Sequence, residues 1–135
     1  MSKQKGRRTV TKAIQYLFDA GMILVDEVEL GGRFRKSKDL FAGVCYKCFD
    51  NACTQHEEKY RFDGFDLVAV STTEVWFIQV KTNNPPSQVP YKHFAKKFVN
   101  KTVKVKAMTW YDRRGWVIHT FNKNGTVTRL DNRKG

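Results

Sequence analysis

The stretch Gly64-Phe65-Asp66-Leu67-Val68-Ala69-Val70, then Ser71-Thr72-Thr73-Glu74, then Val75-Trp76-Phe77-Ile78-Gln79-Val80-Lys81, decides how this chain folds. Two apolar runs rich in β-branched and aromatic residues flank a short polar break, the pattern of a β-hairpin with both strands largely buried. Asp66 stands at the start of the first strand, and Gln79 and Lys81 near the end of the second. A hairpin folded about residues 71–74 brings those two ends together. Side chains alternate between faces along a strand, so Gln79 and Lys81, two residues apart, share one face. A carboxylate, an amide and an ammonium thus converge on otherwise apolar strands, where polar groups are normally costly. The spacing predicts a site.

Upstream, Thr9 is expected to cap a helix that carries Val10, Ala13, Ile14, Leu17 and Phe18 on one face and ends at Gly21, with the residues through Arg8 forming a mobile basic arm. Residues 22–30 read as a strand. Gly31-Gly32 with Arg33, Arg35, Lys36 and Lys38 reads as a basic loop suited to phosphate. Downstream, Asn83-Asn84-Pro85-Pro86 marks a loop over the edge of the site. A helix follows over about residues 88–100, with Phe94, Ala95 and Phe98 inward and Lys92, Lys96 and Lys97 outward. Residues 104–111, 115–121 and 126–130 read as closing antiparallel strands, and the last five residues as a frayed tail. No repeat occurs, and 135 residues make one domain with a single core.

Between these parts, about residues 43–63, lies a segment that holds every cysteine of the chain as Cys45-x2-Cys48-x4-Cys53-x2-His56. Four soft ligands so close together suit a tetrahedral zinc site of the structural kind. A short segment with little core of its own would draw its folding energy from the metal. The alternative is that the cysteines are small buried hydrophobes and His56 an unrelated surface residue. Three cysteines cannot all pair within one chain, which weakens a disulfide reading.

The net charge is +12 and unevenly spread. Residues 1–20 hold five Lys/Arg against one acid, residues 91–135 twelve against two, and residues 21–90 eight against ten. Basic flanks around an acidic centre point to nucleic acid as partner and suit an enzyme that grips phosphates and gathers carboxylates at a metal. No run approaches the ~18 apolar residues of a membrane span, and no apolar stretch follows the basic N-terminus as in a signal peptide. An intracellular protein is expected.

The order Asp, hairpin, Gln-x-Lys resembles the core of the PD-(D/E)XK nuclease superfamily in its Gln-for-Glu variant. Within it, the chain resembles the archaeal-type Holliday junction resolvases and their phage relatives. The likeness includes the helix opened by Lys5-Gly6 and running to Gly21-Met22, and the basic helix and strands after Lys81. Many such nucleases run a Lys-Asp-Leu-Phe-Gly element almost directly into Phe-Asp-Leu; here Lys38-Asp39-Leu40-Phe41 and Gly64-Phe65-Asp66 are parted by the cysteine segment, which looks like an insertion. The resemblance implies an α/β, restriction-endonuclease-like fold: a central mixed sheet flanked by helices, beside the zinc-binding insertion.

The implied activity is Mg²⁺- (or Mn²⁺-) dependent hydrolysis of DNA phosphodiesters, most readily in a four-way junction or other branched DNA. A homodimer is implied too, because symmetric nicking needs two sites. The host would be prokaryotic, archaeal or phage-infected. Mg²⁺ prefers hard oxygen ligands and retains several waters. Asp66, the Gln79 side-chain oxygen and the Val80 carbonyl are the expected ligands, with Lys81 positioning the attacking water. The resolvases carry a metal-associated Glu near the start of the first helix, where this chain has Val10; Asp39 is the expected replacement, with Glu27 and Glu29 as weaker candidates. Arg33, Arg35, Lys36, Lys92, Lys96 and Lys97 are the expected phosphate contacts. His93 and His119 read as surface and structural residues, and Trp76, Trp110 and Trp116 as core or dimer interface before base platforms. Two other functions remain open: a non-catalytic nucleic-acid-binding protein on the same fold, and a general DNA repair nuclease.

Overall fold

A computed structural model describes residues 2–28 and 40–134, with side chains from Arg8 onward in the first helix. Helix α1 spans Ser2–Asp19, and strands β1 (Leu24–Glu27), β2 (Leu67–Val70) and β3 (Val75–Thr82) follow. Then come helix α2 (Gln88–Phe98) and strands β4 (Val103–Tyr111), β5 (Gly115–Phe121) and β6 (Val127–Asp131). The six strands form one mixed sheet in sequence order. Every neighbouring pair is antiparallel except β3–β4, which is parallel and joined through α2.

The hairpin forms as expected. Leu67 pairs with Ile78 and Val70 with Val75, and the Ser71 hydroxyl accepts from the Thr73 and Glu74 amides to close the turn. Even-numbered side chains of β3, β4 and β5 meet α1: Ala13 and Leu17 pack with Ile78, Val80, Met108, Trp116 and Ile118. Odd-numbered ones meet α2: Phe94 and Ala95 pack with Phe77, Val105, Ala107 and Phe121. The two helices therefore cover opposite faces of the sheet.

Helix α1 begins at Ser2 rather than after Thr9. The residues before Thr9 include several Lys, Arg and Gln with good helix propensity and no proline, so they continue the helix rather than form an arm. Thr9 does not cap. Its buried hydroxyl lies 2.8 Å from that of Thr82 and fixes the helix to the end of β3. The expected stop does occur: Gly21 adopts φ 104°, its amide bonds Phe18 O, and Met22 N bonds Leu17 O. Phe18 is 45 % exposed and lies outside the core it was expected to join. Strand β1 is shorter than the run read from the sequence, and Ile23 and Leu24 are exposed. Strands β4, β5 and β6 match their predicted spans to within one residue.

The segment containing the cysteines leaves and rejoins the fold at one point. Leu40 and Phe65 form an antiparallel bridge, with Leu40 N bonding Phe65 O and Phe65 N bonding Leu40 O. Beyond it a narrow ribbon continues through Gly43 N to Phe62 O, Phe62 N to Val44 O and Tyr46 N to Tyr60 O. A single 3-10 turn, Glu58–Tyr60, closes the far end. The ribbon packs on the α2 face, where Phe41, Phe49, Phe62, Phe65 and Phe94 form a continuous aromatic cluster.

Candidate functional site

Asp66 lies where β2 bends at its start. Its amide bonds Ile78 O, its carbonyl accepts from Val28 N, and its carboxylate Oδ2 accepts from Val80 N at 2.9 Å. The carboxylate thereby supplies to β3 the acceptor that the bent backbone no longer offers. Gln79 is 7 % exposed, and its side-chain amide reaches the same oxygen. With the nitrogen turned inward, Gln79 donates to Asp66 Oδ2 at 3.0 Å and to Gly64 O at 3.2 Å. The opposite orientation would set the Gln79 oxygen against the Asp66 and Gly64 oxygens, so the donating orientation is the one that satisfies this corner. Lys81 is half-buried on the same face, paired across the parallel ladder with Thr109.

Two residues that the sequence reading passed over build this corner. Gly64 adopts φ 89°, and a Cβ there would sit 2.9 Å from Leu40 O and 3.0 Å from Ala42 N. Its carbonyl accepts from the fully buried Tyr91 hydroxyl at 2.9 Å, which ties α2 to the start of β2. Glycine before Phe-Asp was the available signal for the first; nothing local marks Tyr91. The Thr109 hydroxyl, buried opposite Lys81, has no hydrogen-bond partner among the described residues.

The remaining expected site residues divide. Asp39, Arg33, Arg35, Lys36 and Glu29 lie outside the described residues. Leu40, next in the chain to Asp39, bridges to Phe65, next to Asp66. Val10 is half-buried against the α1-face core, across the sheet from Gln79 and Lys81. Glu27 pairs with Leu67 and so shares that α1 face. On α2, Lys92 is half-buried while Lys96 and Lys97 are exposed, with Lys97 Nζ 5.6 Å from the Phe49 ring centre. His93 is not a free surface residue: its ring packs 5.1 Å from Tyr46 and links α2 to the cysteine segment. Burial, then Lys47 and Lys96, hold its pKa below the ordinary value. Trp110 and Trp116 pack edge to face, and Trp76 donates to Glu74, in keeping with core roles.

The second cluster is the cysteine segment itself. The ligand atoms of Cys45, Cys48, Cys53 and His56 all lie within 4.8 Å of one another. His56 Nδ1 stands 3.3 Å from Cys45 Sγ and 3.2 Å from Cys53 Sγ, separations that match neighbouring ligands around one tetrahedral ion. The turn after Cys48 is tight: Phe49 takes φ 57°, and Cys45 N bonds Asp50 O. Arg61 donates to Cys53 O and holds the closing limb. Partial desolvation and the neighbouring Cys53 thiol raise Cys48 to about 11. Burial acts to raise Cys53 as well, but the His56 and Gln55 amides at its sulfur outweigh it and bring the thiol down to about 6. All three cysteines are free of disulfides, and the four residues could hold a metal ion such as zinc.

No described helix is long and apolar enough to cross a membrane. Compared with family models, with curated proteins and with solved structures, the chain matches none.

Proposed function

We propose that this protein is a Mg²⁺-dependent DNA endonuclease of the PD-(D/E)XK kind, with a restriction-endonuclease-like fold, acting on four-way junctions or other branched DNA. The observation that carries the reading is the meeting of the Asp66 carboxylate with the buried Gln79 amide, on the strand that also bears Lys81. A half-buried carboxylate and a buried amide meet at a strand end beside an apolar core, where polar groups are costly, and they stand on the same face as the Lys81 ammonium. The element order supports the same reading: three antiparallel strands, a helical crossover, and a fourth strand parallel to the third. The +12 charge supplies the affinity for a polyanion.

The donor set fits Mg²⁺, because the Asp66 carboxylate and, with its amide turned over from the donating orientation, the Gln79 oxygen are both hard oxygen ligands. The Val80 carbonyl and Asp39 complete the candidate ligands. Bound there, the ion would neutralise phosphate charge and lower the pKa of an attacking water. The chain's own part is positional. Val80 N fixes the Asp66 carboxylate, Gly64 and Tyr91 fix the strand that carries it, and Lys81 presents an ammonium to the phosphoryl oxygens as negative charge develops. The cysteine segment is a structural zinc site, closed by four protein ligands and so without an open position for substrate. Two protomers would nick a junction symmetrically.

The test is nicking of a four-way junction beside a linear duplex of the same sequence, with and without Mg²⁺. Junction nicking is expected, with Asp66→Asn and Lys81→Ala each slowing it by roughly 100-fold or more while DNA binding persists. Gln79→Glu should keep activity or lower the Mg²⁺ needed, and Asp39→Asn should lose much of it. Equal cutting of both substrates would indicate a general nuclease. Full activity in both Asp66→Asn and Lys81→Ala would remove the site assignment.

A further inference from the structure

On the face of the sheet opposite Gln79, an open cleft of about 440 Å³ is lined by Arg8, Thr9, Lys12, Trp110, Asp112 and Arg113. Three cations and one carboxylate face it. Asp112 is already engaged, accepting from Asn83 Nδ2 at 3.0 Å while its own amide donates to Asn83 Oδ1 at 3.0 Å. Lys12 Nζ stands 5.3 Å from the centre of the Trp110 ring, which is itself packed against Trp116. Trp110 therefore serves as a fixed bed for the Lys12 stem rather than as an open face for a base.

The cleft is built, not merely a run of charge. Thr9 is pinned to Thr82 by the 2.8 Å hydroxyl contact, Asn83 N donates to Trp110 O at 2.7 Å, and Arg113 is held at φ 65° in the β4–β5 turn. That left-handed residue belongs to the tight turn that places Arg113 in the cleft lining. The position relative to the candidate active site is set by covalent connection. Thr82, paired with Trp110, directly follows Lys81, paired with Thr109. The cleft and Lys81 thus sit on the two sides of one strand end, a single residue apart.

We propose that this cleft is a phosphate clamp for a DNA strand: Arg8, Lys12 and Arg113 hold backbone phosphates next to the one that lies at Lys81, as the strand passes around the ends of β3 and β4. The inference takes its ligand class from the nuclease reading and assigns that reading a second contact surface, on residues none of which it uses. Because the contacts are to phosphate, the clamp should grip all sequences alike and be strongly salt-dependent.

The experiment is fluorescence anisotropy of a labelled DNA duplex and of a labelled four-way junction, in buffer with neither Mg²⁺ nor chelator, over a salt series. The variants are Arg8→Ala/Lys12→Ala/Arg113→Ala and, as a charge-matched control, Lys59→Ala/Lys101→Ala/Lys104→Ala, whose residues lie in the cysteine segment and at the opposite end of β4. Circular dichroism melts verify that both are folded. The clamp variant should bind at least 10-fold more weakly than the control, with the salt slope reduced by about 2–3 units. Loss no greater than the control's, or wild-type protein that binds neither DNA, would overturn the clamp. The measurement is of binding, so it separates from the nuclease reading. A wild type that binds through the cleft but never nicks would keep the clamp and discard the catalysis; a nicking enzyme indifferent to the cleft variant would do the reverse.

Discussion

The two faces of the sheet solve the same burial problem with different materials. The α1 face is closed by one continuous helix over aliphatic residues and three tryptophans, and its polar intruders are each paired: Thr9 with Thr82, Trp76 with Glu74, Lys106 with Thr120 at 2.9 Å and with the Trp76 ring at 4.3 Å. The α2 face is closed by a shorter helix and the cysteine ribbon together, over a cluster of phenylalanines. Asp66, Gln79 and Lys81, and the Cys/His cluster, all belong to this second, divided side. Helix α1 covers its face with one stripe and leaves a cleft only at the end of the sheet, beside Trp110, whereas two smaller covers meet over the α2 face at Gly64, where Asp66 and Gln79 converge.

That contrast can be broken, and the most damaging test is at the Cys/His cluster. Cys45 is fully buried, so Cys45→Ser should abolish the expected one zinc per chain, measured by elemental analysis, and lower the melting temperature by on the order of 10 °C. Nicking should fall with it, since the ribbon ends at the Leu40–Phe65 bridge beside Asp66. Undiminished stability and activity in protein without metal would mean that the ribbon folds unaided. Next in size, Leu17→Ala on the α1 face should cost about 2–5 kcal/mol by denaturant melts yet leave the zinc content unchanged. Zinc loss in that variant would show that the two faces are not separable.

A smaller and more local effect is expected at the corner itself. Gly64→Ala must strain a left-handed backbone by about 1–3 kcal/mol and push the new methyl against Leu40 O. Activity should drop more than stability does, because the Gly64 carbonyl is the shared anchor of Tyr91 and Gln79. Equal activity would show that the corner is not held through Gly64.

The mildest test concerns His119, buried on β5 between Ala107 and the cross-strand Arg129. Burial first, and Arg129 second, keep its folded pKa below the usual value. The unfolded chain therefore takes up a proton that the folded one refuses, so stability is present above pH ~6.5 and lost as pH falls below it, flattening once the folded pKa is passed. His119→Gln should make that acid slope shallower, measured as melting temperature between pH ~7.5 and ~5. His93, displaced in the same direction, accounts for part of what remains. An unchanged slope would mean that His119 takes up its proton as readily in the folded chain as in the unfolded one.

Much of this was legible in the chain because it rests on local patterns. The apolar runs around Ser71–Glu74 dictated a hairpin, and the two-residue spacing of Gln79 and Lys81 dictated a shared face. Gly21 stopped a helix by backbone conformation alone, and four ligands within twelve residues could hardly avoid one another. What the chain by itself could not settle were matters of long-range partnership. Thr9 looked like a cap because Ser and Thr usually satisfy nearby amides, but Thr82, far along the sequence, offered its hydroxyl a better partner. His93 looked like a surface residue until the cysteine ribbon folded back and set Tyr46 against it. Tyr91 carried no local sign of its role, and only the docking of α2 placed its hydroxyl on Gly64 O. Spacing fixes which residues share a face; which faces meet, and what closes over them, depends on contacts that the sequence separates by many residues.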